Sequence, residues 1–438
     1  MLKVTKFGGS SVAGPEQFKK VKNIICDDES RKVVIVSAGG KRYADDHKLT
    51  DLLYLCQAHL EYGVSCDDIL DTINERFSLV TKSLSLSCNI TDELAEFRAS
   101  LSKDSSRDYI VSRGEYFTAK MMADYLGYTF VDAKDCIFFS FDGTIDKEKT
   151  YAAISDAYGT YGKIVIPGFY GSLPNGKIKV MARGGSDITG SLAAAALNAD
   201  AYENWTDVSG ILMADPRIVE SPKPIPMMTY AELCALAISG ASVLQEDSVA
   251  PVRDAGIPLV IKNTNFPEDP GTVIVEKIES EGADQDRFIT GIAGRKNFTV
   301  ISVQKHSMNV TENLKIALDI LGKYHVNAEH ITLGFDSYSI TVSSAAIENC
   351  IFDCIADIQK KCVPDKVDTQ DGLALVAAVG RKMTFRPGIS GRLFNALGES
   401  GVNIKTIAQG ADELSITVGV DNKDFDTTVR VLYNGFAG

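Results

Sequence analysis

The chain has 438 residues, a net charge of −13 at pH 7 and 45% hydrophobic residues, which predicts a protein of several globular domains. The acidic balance argues against a nucleic-acid or anionic-membrane partner, and no apolar run is long enough for a membrane helix. The start, MLKVTKFGG, lacks the apolar core of a signal peptide, and nine cysteines without a C-x-x-C pair indicate reduced thiols, so we expect a cytoplasmic protein.

The first half of the chain alternates strand-like and helix-like segments. Residues 4–14, VTKFGGSSVAG, begin as a β-type run and place Lys6 before two glycines, whereas the Lys of a P-loop follows its glycines. The apolar runs at 32–38 and 162–171 also end in glycines. Helical patterns occupy 49–62, 67–84, 91–102 and 115–126. This order predicts a mostly parallel sheet covered by helices on both faces, with ligands at the carboxyl ends of the strands.

One segment matches the P-loop template but reads better as a turn. GSLPNGK (171–177) is followed by Ile178, which cannot bind Mg²⁺, and by a strand instead of a helix. Pro-Asn-Gly between two β-rich runs predicts a hairpin.

Several polar residues each allow an ordinary structural interpretation. RGGSD (183–187) opens an Ala-rich helix, where Ser186 or Asp187 could simply be the N-cap; Arg183 beside free helix amides instead suits a carboxylate or phosphate. Thr50 could cap a helix, and Glu115 could be an acid in the first turn of a helix, where the helix dipole stabilises its negative charge.

The last third of the chain contains an internal repeat. Residues 314–343 align without a gap with 390–419, including SITV at 339–342 and 415–418. With a strand before and a helix after, each copy becomes a βαββαβ unit, the ferredoxin-like plan. A charged stretch at 276–288 reads as a linker. The predicted divisions are a first domain at 1–280, a linker at 281–295, and two repeat domains at 296–371 and 372–438.

The order of six motifs along the chain resembles aspartate kinase. They are K-F-G-G-S-S (6–11), V-S-A-G-G-K (36–41), S-R-G-E (112–115), R-G-G-S-D (183–187), W-T-D-V-S-G-I (205–211) and A-D-P-R-I-V (214–219). The resemblance covers nearly the whole chain, and the repeats resemble the paired ACT domains of that family. It implies an α/β amino-acid-kinase fold followed by two ferredoxin-like ACT domains.

The implied reaction is transfer of the ATP γ-phosphoryl group, with Mg²⁺, to the side-chain carboxylate of L-aspartate, the first step toward lysine, threonine and methionine. A carboxylate is already ionised at pH 7, so the reaction needs charge neutralisation more than a general base. Mg²⁺ is expected to take few protein ligands because phosphate oxygens hold it, and we assign no residue as a metal ligand.

The resemblance also implies a role for individual residues. Lys6 and Asp187 are expected to be catalytic, with Asp187 orienting Lys6. The expected aspartate-binding residues are Thr50, Glu115, Arg183, Gly184 and Ser186. The expected nucleotide-binding residues are Lys6, Gly8, Gly9, Ser10, Thr206, Asp207, Leu212, Arg217 and Ser242.

Three of these residues depart from the family pattern. Ser10 replaces the usual Thr but keeps the hydroxyl. Leu212 stands where a Tyr is common, and Ser242 stands where many relatives have a Lys. We therefore expect an active enzyme with weaker ATP contacts.

The paired ACT domains imply feedback inhibition by an end-product amino acid and assembly into a homodimer or a dimer of dimers. The expected inhibitor pocket comprises Met308, Asn327, Ala328 and Glu329. Lysine is the first choice of inhibitor and threonine the second.

Two other functions are compatible with the pattern. Another amino-acid kinase of the same fold, such as glutamate 5-kinase or acetylglutamate kinase, would phosphorylate a different carboxylate. A catalytically inactive amino-acid sensor would account for Leu212 and Ser242, although Lys6, Glu115, Arg183 and Asp207 are all retained.

Overall fold

In a computed structural model the chain divides into two compact units. The first comprises residues 1–211, 224–233 and 243–280, and the second comprises 212–223, 234–242 and 281–438. The structure describes residues 1–182, 184–241, 244, 246–278, 288–306, 309–383 and 387–436. No helix in these ranges is both long and apolar enough to cross a membrane.

The first half of the chain alternates strands and helices, as its pattern predicts. The strands are β1 (Lys3–Phe7), β2 (Arg31–Val36), β3 (Thr129–Phe130), β4 (Ile164–Pro167), β5 (Tyr170–Ser172), β6 (Ile178–Val180), β7 (Ala201–Thr206), β8 (Met227–Thr229), β9 (Leu259–Asn263) and β10 (Thr272–Val275). The helices are α1 (Pro15–Asp27), α2 (Leu49–Glu61), α3 (Asp67–Leu84), α4 (Ile90–Ser100), α5 (Arg107–Leu126), α6 (Lys147–Tyr161), α7 (Gly185–Ala196), α8 (Tyr230–Ser239) and α9 (Glu246–Asp254).

Eight strands form one sheet in the order β3-β4-β2-β1-β7-β9-β10-β8. Every neighbouring pair is parallel except β9 with β10, so the predicted mostly parallel sheet is confirmed. β1 lies in the middle, and its neighbour β7 follows β2 and β4 in the chain but lies on the other side of β1. The strand order therefore reverses at β1, where sheets of this kind bind ligands at their carboxyl edge.

The segment that matches the P-loop template is a hairpin. Strands β5 and β6 pair antiparallel, and Gly176 between them has φ +77°, a backbone conformation that glycine adopts without strain. The prediction of a turn at 171–177 is confirmed.

The second unit is built on a six-stranded sheet. Its strands are β11 (Gly291–Gln304), β12 (Ala328–Leu333), β13 (Ser337–Ser343), β14 (Lys366–Val379), β15 (Thr406–Gln409) and β16 (Ser415–Asp421). Its helices are α10 (Val310–Lys323), α11 (Ser344–Ile347), α12 (Ile351–Cys362), α13 (Ile389–Glu399) and α14 (Phe425–Phe436). The order β12-β13-β11-β14-β16-β15 places one copy of the repeat at each end, as duplicated ferredoxin-like units require.

Two long antiparallel strands join the repeats. The second half of β11 pairs with β13 and with the start of β14, whereas residues 291–295 pair with 375–379 at the end of β14. Consequently β11 begins inside the range 281–295 that the sequence pattern assigns to a linker. β14 likewise runs across the predicted boundary between 371 and 372.

A buried group of charges lies where β1, β2 and β7 meet. The Arg31 guanidinium donates to the Glu203 carboxylate at 2.8 Å, Lys3 Nζ lies 3.1 Å from the same carboxylate, and Trp205 Nε1 donates to it at 2.9 Å. Burial alone would raise the pKa of Glu203, but Arg31 and Lys3 lower the pKa below its ordinary value. The ion pair therefore stabilises the fold at neutral pH, and this contribution is lost as pH falls through the lowered pKa.

We expect Glu203→Ala to lower the free energy of unfolding by about 3–5 kcal/mol, because it leaves the buried Arg31 charge without a partner. Urea unfolding followed by the fluorescence of Trp205, the single tryptophan of the chain, measures this loss. Glu16→Ala is the control: it breaks the exposed Lys19–Glu16 pair and should change stability by less than about 1 kcal/mol. Equal effects of the two variants would contradict the assignment.

Candidate active site

The glycine pairs that follow β1 and β2 are packed directly against each other. The Gly40 amide donates to the Gly9 carbonyl at 2.7 Å. A Cβ atom at Gly9 would lie 2.8 Å from the Ala38 carbonyl oxygen, and one at Gly40 would lie 2.8 Å from the Gly9 carbonyl carbon. Neither position has room for a side chain, so the backbone itself lines the space beyond the two strands.

A cavity of about 620 Å³ opens at this carboxyl edge of the sheet. It brings together many residues that the sequence pattern singles out from distant positions: Lys6, Gly8, Gly9, Ser10, Thr50, Glu115, Gly184, Ser186, Asp187, Thr206 and Asp207. It is also lined by residues to which the sequence pattern assigned no individual role: Ser37, Ala38, Gly40, Lys41, Lys48, Phe169 and Gly185.

Lys6 is held by a carboxylate in this cavity. Its Nζ atom lies 2.6 Å from Asp187 Oδ1, and its side chain is only 9% exposed. The same Oδ1 atom accepts a hydrogen bond of 2.8 Å from Asn204 Nδ2 on β7. Asp187 is therefore engaged with Lys6 and is not the N-cap of α7; Gly184 occupies that position at φ +79° and makes no side-chain cap.

The N-terminus of α7 forms one wall of the cavity. A Cβ atom at Gly168, just after β4, would lie 2.6 Å from Ser186, so this glycine allows the helix to pack against the strand end. Gly184, Gly185 and Ser186 line the cavity, which places the first turn of a helix, a region that favours anions, beside Lys6. Arg183 lies outside the described residues.

Glu115 is buried in the middle of α5. It is the ninth residue of a helix that begins at Arg107, so it is not a first-turn acid. It is 4% exposed, and among the described residues its Oε2 atom has no hydrogen-bond partner. Burial raises its pKa to about 8, although a backbone hydrogen bond from Ala38 opposes the shift. The carboxyl group is thus mostly protonated at pH 7.

The segment before Thr50 is tied at both ends by one buried guanidinium. Arg76 is 4% exposed and donates to the carbonyl oxygens of Gly40 and His47, each at 2.6 Å. These two bonds attach the segment 41–49 to α3. Thr50 is not a cap, because α2 has Lys48 at its N-cap position without a side-chain cap bond.

Some, but not all, of the residues expected to bind the nucleotide line the cavity. Thr206 Oγ1 lies 3.2 Å from Asp207 Oδ1, and both residues line the cavity. Leu212 and Arg217 belong to the second unit, where Arg217 pairs with Asp215 at 2.6 Å and is largely exposed. Ser242 lies outside the described residues.

The residues expected to bind an inhibitor lie around the start of β12. Asn327 precedes the strand, and Ala328 and Glu329 are its first residues. Arg295 Nη2 on β11 donates to Glu329 Oε2 at 2.7 Å, with both side chains partly exposed. Met308 lies outside the described residues.

Comparisons with known proteins agree with this arrangement. Residues 1–263 match the model of the amino acid kinase family, and residues 376–436 match that of the ACT domain. Aspartokinase 3 of Bacillus subtilis is 34% identical to this chain, over 99% of the chain and 98% of its own length. The crystal structure of the allosteric aspartate kinase of Clostridium acetobutylicum superposes with a TM-score of 0.90 at 45% identity, covering 99% of both chains.

A more distant structure shares the fold. Aspartokinase III of E. coli, solved in complex with aspartate and ADP, is 24% identical to this chain and has a TM-score of 0.79 over 100% of both chains. The amino-acid-kinase fold is thus common to all these proteins.

The sheet, the cavity at its carboxyl edge and the family match define an amino-acid kinase with ACT domains. More narrowly, the chain belongs to the aspartate kinase family, the ATP:L-aspartate 4-phosphotransferases, as the motif order predicts.

We expect the stability gain of Glu115→Gln over the wild type to grow as pH rises from 4.5 to 8. In this window the native carboxyl, with a pKa of about 8, binds more protons than the unfolded one, whose ordinary value is 4.5, so wild-type stability falls with rising pH. Gln mimics the protonated form and removes this dependence.

Thermal unfolding of the ligand-free protein at pH 5, 7 and 9 measures the effect of Glu115→Gln. The exposed residue Glu75 provides the control variant Glu75→Gln, which should run parallel to the wild type at all three values. A constant offset for Glu115→Gln would show that Glu115 is ionised in the folded protein throughout.

Proposed function

We propose that the cavity transfers the γ-phosphoryl group of ATP to the side-chain carboxylate of L-aspartate, giving 4-phospho-L-aspartate. One observation carries this proposal: four features line the same cavity. They are a cation at a strand end, close-packed glycine backbone, a helix N-terminus and a buried carboxyl group. Two anions must approach each other in this reaction, so the protein has to neutralise charge rather than remove a proton.

Lys6 and the glycine backbone serve the phosphate chain of ATP. Gly8 leaves free space beside the Lys6 ammonium, since a Cβ atom there would lie 3.7 Å from Nζ. Gly9 and Ser10 continue the wall, where backbone amides can approach phosphate oxygens. Asp187 pairs with the Lys6 ammonium, and Thr206 and Asp207 line the same cavity.

Mg²⁺ fits this site as a companion of ATP. The described lining residues include three acids: Asp187 is engaged with Lys6, Glu115 is buried, and Asp207 is exposed. When bound with ATP, the ion would supply charge neutralisation for the phosphate groups, and such ions keep mostly phosphate and water ligands.

Glu115 suits the α-ammonium of aspartate. Among the described residues its Oε2 atom has no partner, so it is a buried acceptor that a cationic donor would satisfy. The ammonium charge would favour the ionised carboxylate. Thr50, Gly184 and Ser186 line the same cavity and are proposed to complete the aspartate site. Arg183, beside them in sequence, is proposed to bind the α-carboxylate.

The test is ADP formation that depends on aspartate, together with trapping of the acyl phosphate by hydroxylamine. The wild type should be active with aspartate and not with glutamate or acetylglutamate. Lys6→Ala should lower kcat by roughly 100-fold or more, because one charged donor to the transition state is lost. Lys19→Ala, which removes a surface lysine, is the control, and a wild type without aspartate-dependent turnover would refute the proposal in favour of an amino-acid sensor.

The second unit is proposed to regulate this activity by binding a feedback amino acid, lysine in preference to threonine. Glu329 already holds a cationic side chain, that of Arg295, and a lysine ammonium could replace it on the same carboxylate. The Clostridium acetobutylicum relative is described as an allosteric enzyme, which supports regulation at this level. The resemblance to the family is the support for the remaining proposed residues. These are Asn327, Ala328 and Met308 for the inhibitor, and Leu212, Arg217 and Ser242 for the nucleotide.

The protein is proposed to be a cytoplasmic homodimer or dimer of dimers that assembles through the second unit. β12 and β15 are the two edges of its sheet, and Leu333, Phe335 and Ile407 beside them are exposed apolar side chains. Edge strands with exposed apolar groups are suited to pairing with another chain.

We expect millimolar lysine to inhibit the wild type. Glu329→Ala should abolish this inhibition and retain kcat. Arg295→Ala should lower the lysine concentration needed for inhibition, because the variant removes the cation that competes for Glu329. Initial rates with lysine or threonine measure these effects. Glu348→Ala, which changes another exposed acid of this unit, is the control. Inhibition by threonine alone would overturn the choice of lysine.

A further inference from the structure

Asn204 is a buried polar residue that neither the motifs nor the proposed roles account for. It lies in the interior of β7, is 4% exposed, and stands directly beside Lys6 in the parallel register of β1 and β7. Asn is depleted in strand interiors, and burial of an amide is costly unless it is hydrogen-bonded. Its presence in the middle of this sheet therefore calls for a reason.

The amide of Asn204 acts on the carboxylate that holds Lys6. Among the described residues its one hydrogen bond runs from Nδ2 to Asp187 Oδ1 at 2.8 Å. Lys6 Nζ lies 2.6 Å from the same oxygen, so two donors converge on one atom. The orientation of the amide follows from its neighbour, because Oδ1 of Asn204 in the place of Nδ2 would face a carboxylate oxygen.

Two donors on one oxygen divide its negative charge. The Asn204 hydrogen bond fixes the rotation of the Asp187 carboxylate and draws electron density from Oδ1, which weakens the hold of that oxygen on the Lys6 ammonium. Without Asn204 the Asp187 carboxylate could rotate so that both of its oxygens contact the Lys6 ammonium. The ammonium would then be less available to phosphoryl oxygens, where charge develops during transfer.

We propose that Asn204 is a positioning residue for phosphoryl transfer: it holds Asp187 so that the Lys6 ammonium is shared with the transferring phosphoryl group. The inference rests on the proposed function of the cavity. Asn204 touches no substrate in this account, and it acts only through Asp187. The Oδ1 atom of its amide is buried and has no partner among the described residues.

The test is steady-state kinetics of Asn204→Leu, which keeps the branched shape of the side chain and removes the hydrogen bond. We expect kcat to fall about tenfold, the size of effect expected from losing one hydrogen bond to a charged group. The KM values for aspartate and ATP should stay within about twofold, since no substrate contact is removed. Asn204→Ser, which is too short to reach Asp187, should show the same loss of kcat and serves if the Leu variant does not fold.

A double-mutant comparison separates positioning from a structural role. If Asn204 acts through Asp187, then Asp187→Ala with Asn204→Leu should be no slower than Asp187→Ala alone, because the partner is already absent. Thr5→Val is the matched control: it removes a fully buried hydrogen bond of 3.2 Å to the Val33 carbonyl, one residue from Lys6 on the same strand. It should lower the unfolding temperature and leave kcat unchanged.

Three outcomes would overturn the inference: an unchanged kcat in Asn204→Leu and Asn204→Ser, a loss in Thr5→Val as large as theirs, or losses that multiply in the double mutant. Each is read against a wild type with aspartate-dependent turnover. A wild type without turnover refutes the proposed function itself, so the two failures are distinguishable.

Discussion

The contact between Gly9 and Gly40 is the constraint on which the candidate site depends. The loops that follow β1 and β2 contact each other through their backbones at these two glycines. A side chain on either glycine would separate the loops. This contact leaves peptide groups, not side chains, along the floor of the cavity. Lys6, at the end of the central strand, then stands beside that floor with its ammonium directed into the cavity.

The charged residues in and around this cavity differ in how they are paired, and this difference affects how a substrate would bind. Lys6 is compensated by Asp187, while the buried Arg76 donates to two carbonyl groups. Glu115 is buried in the cavity, and this burial raises its pKa to about 8, although the Arg113 charge opposes the shift. An empty site therefore holds a neutral carboxyl group, and a bound ammonium would convert it into an ion pair. Substrate binding and proton release are coupled in such a site.

Much of this architecture could be predicted because it rests on local patterns. Apolar runs ending in glycine marked β1, β2 and β4, and a gapless repeat marked the two halves of the second sheet. The failures concern single side chains whose roles depend on distant partners. Thr50, Ser186 and Asp187 all read as helix caps, yet Lys48 and Gly184 occupy the cap positions. Asn204 could not be recognised at all, because an Asn in a strand carries no signal until its neighbour across the sheet is known.

The sequence by itself determined the class of fold, the order of the motifs and the family, since these follow from hydrophobic periodicity and from residue types at fixed spacing along one chain. Tertiary structure alone decided which of those residues face each other. Residues 6, 115, 187 and 204 are brought together by strand order and helix packing, and no local pattern encodes such distances. The same packing removed water from Glu115 and placed two donors on one oxygen of Asp187, and these environments set the chemistry of the site.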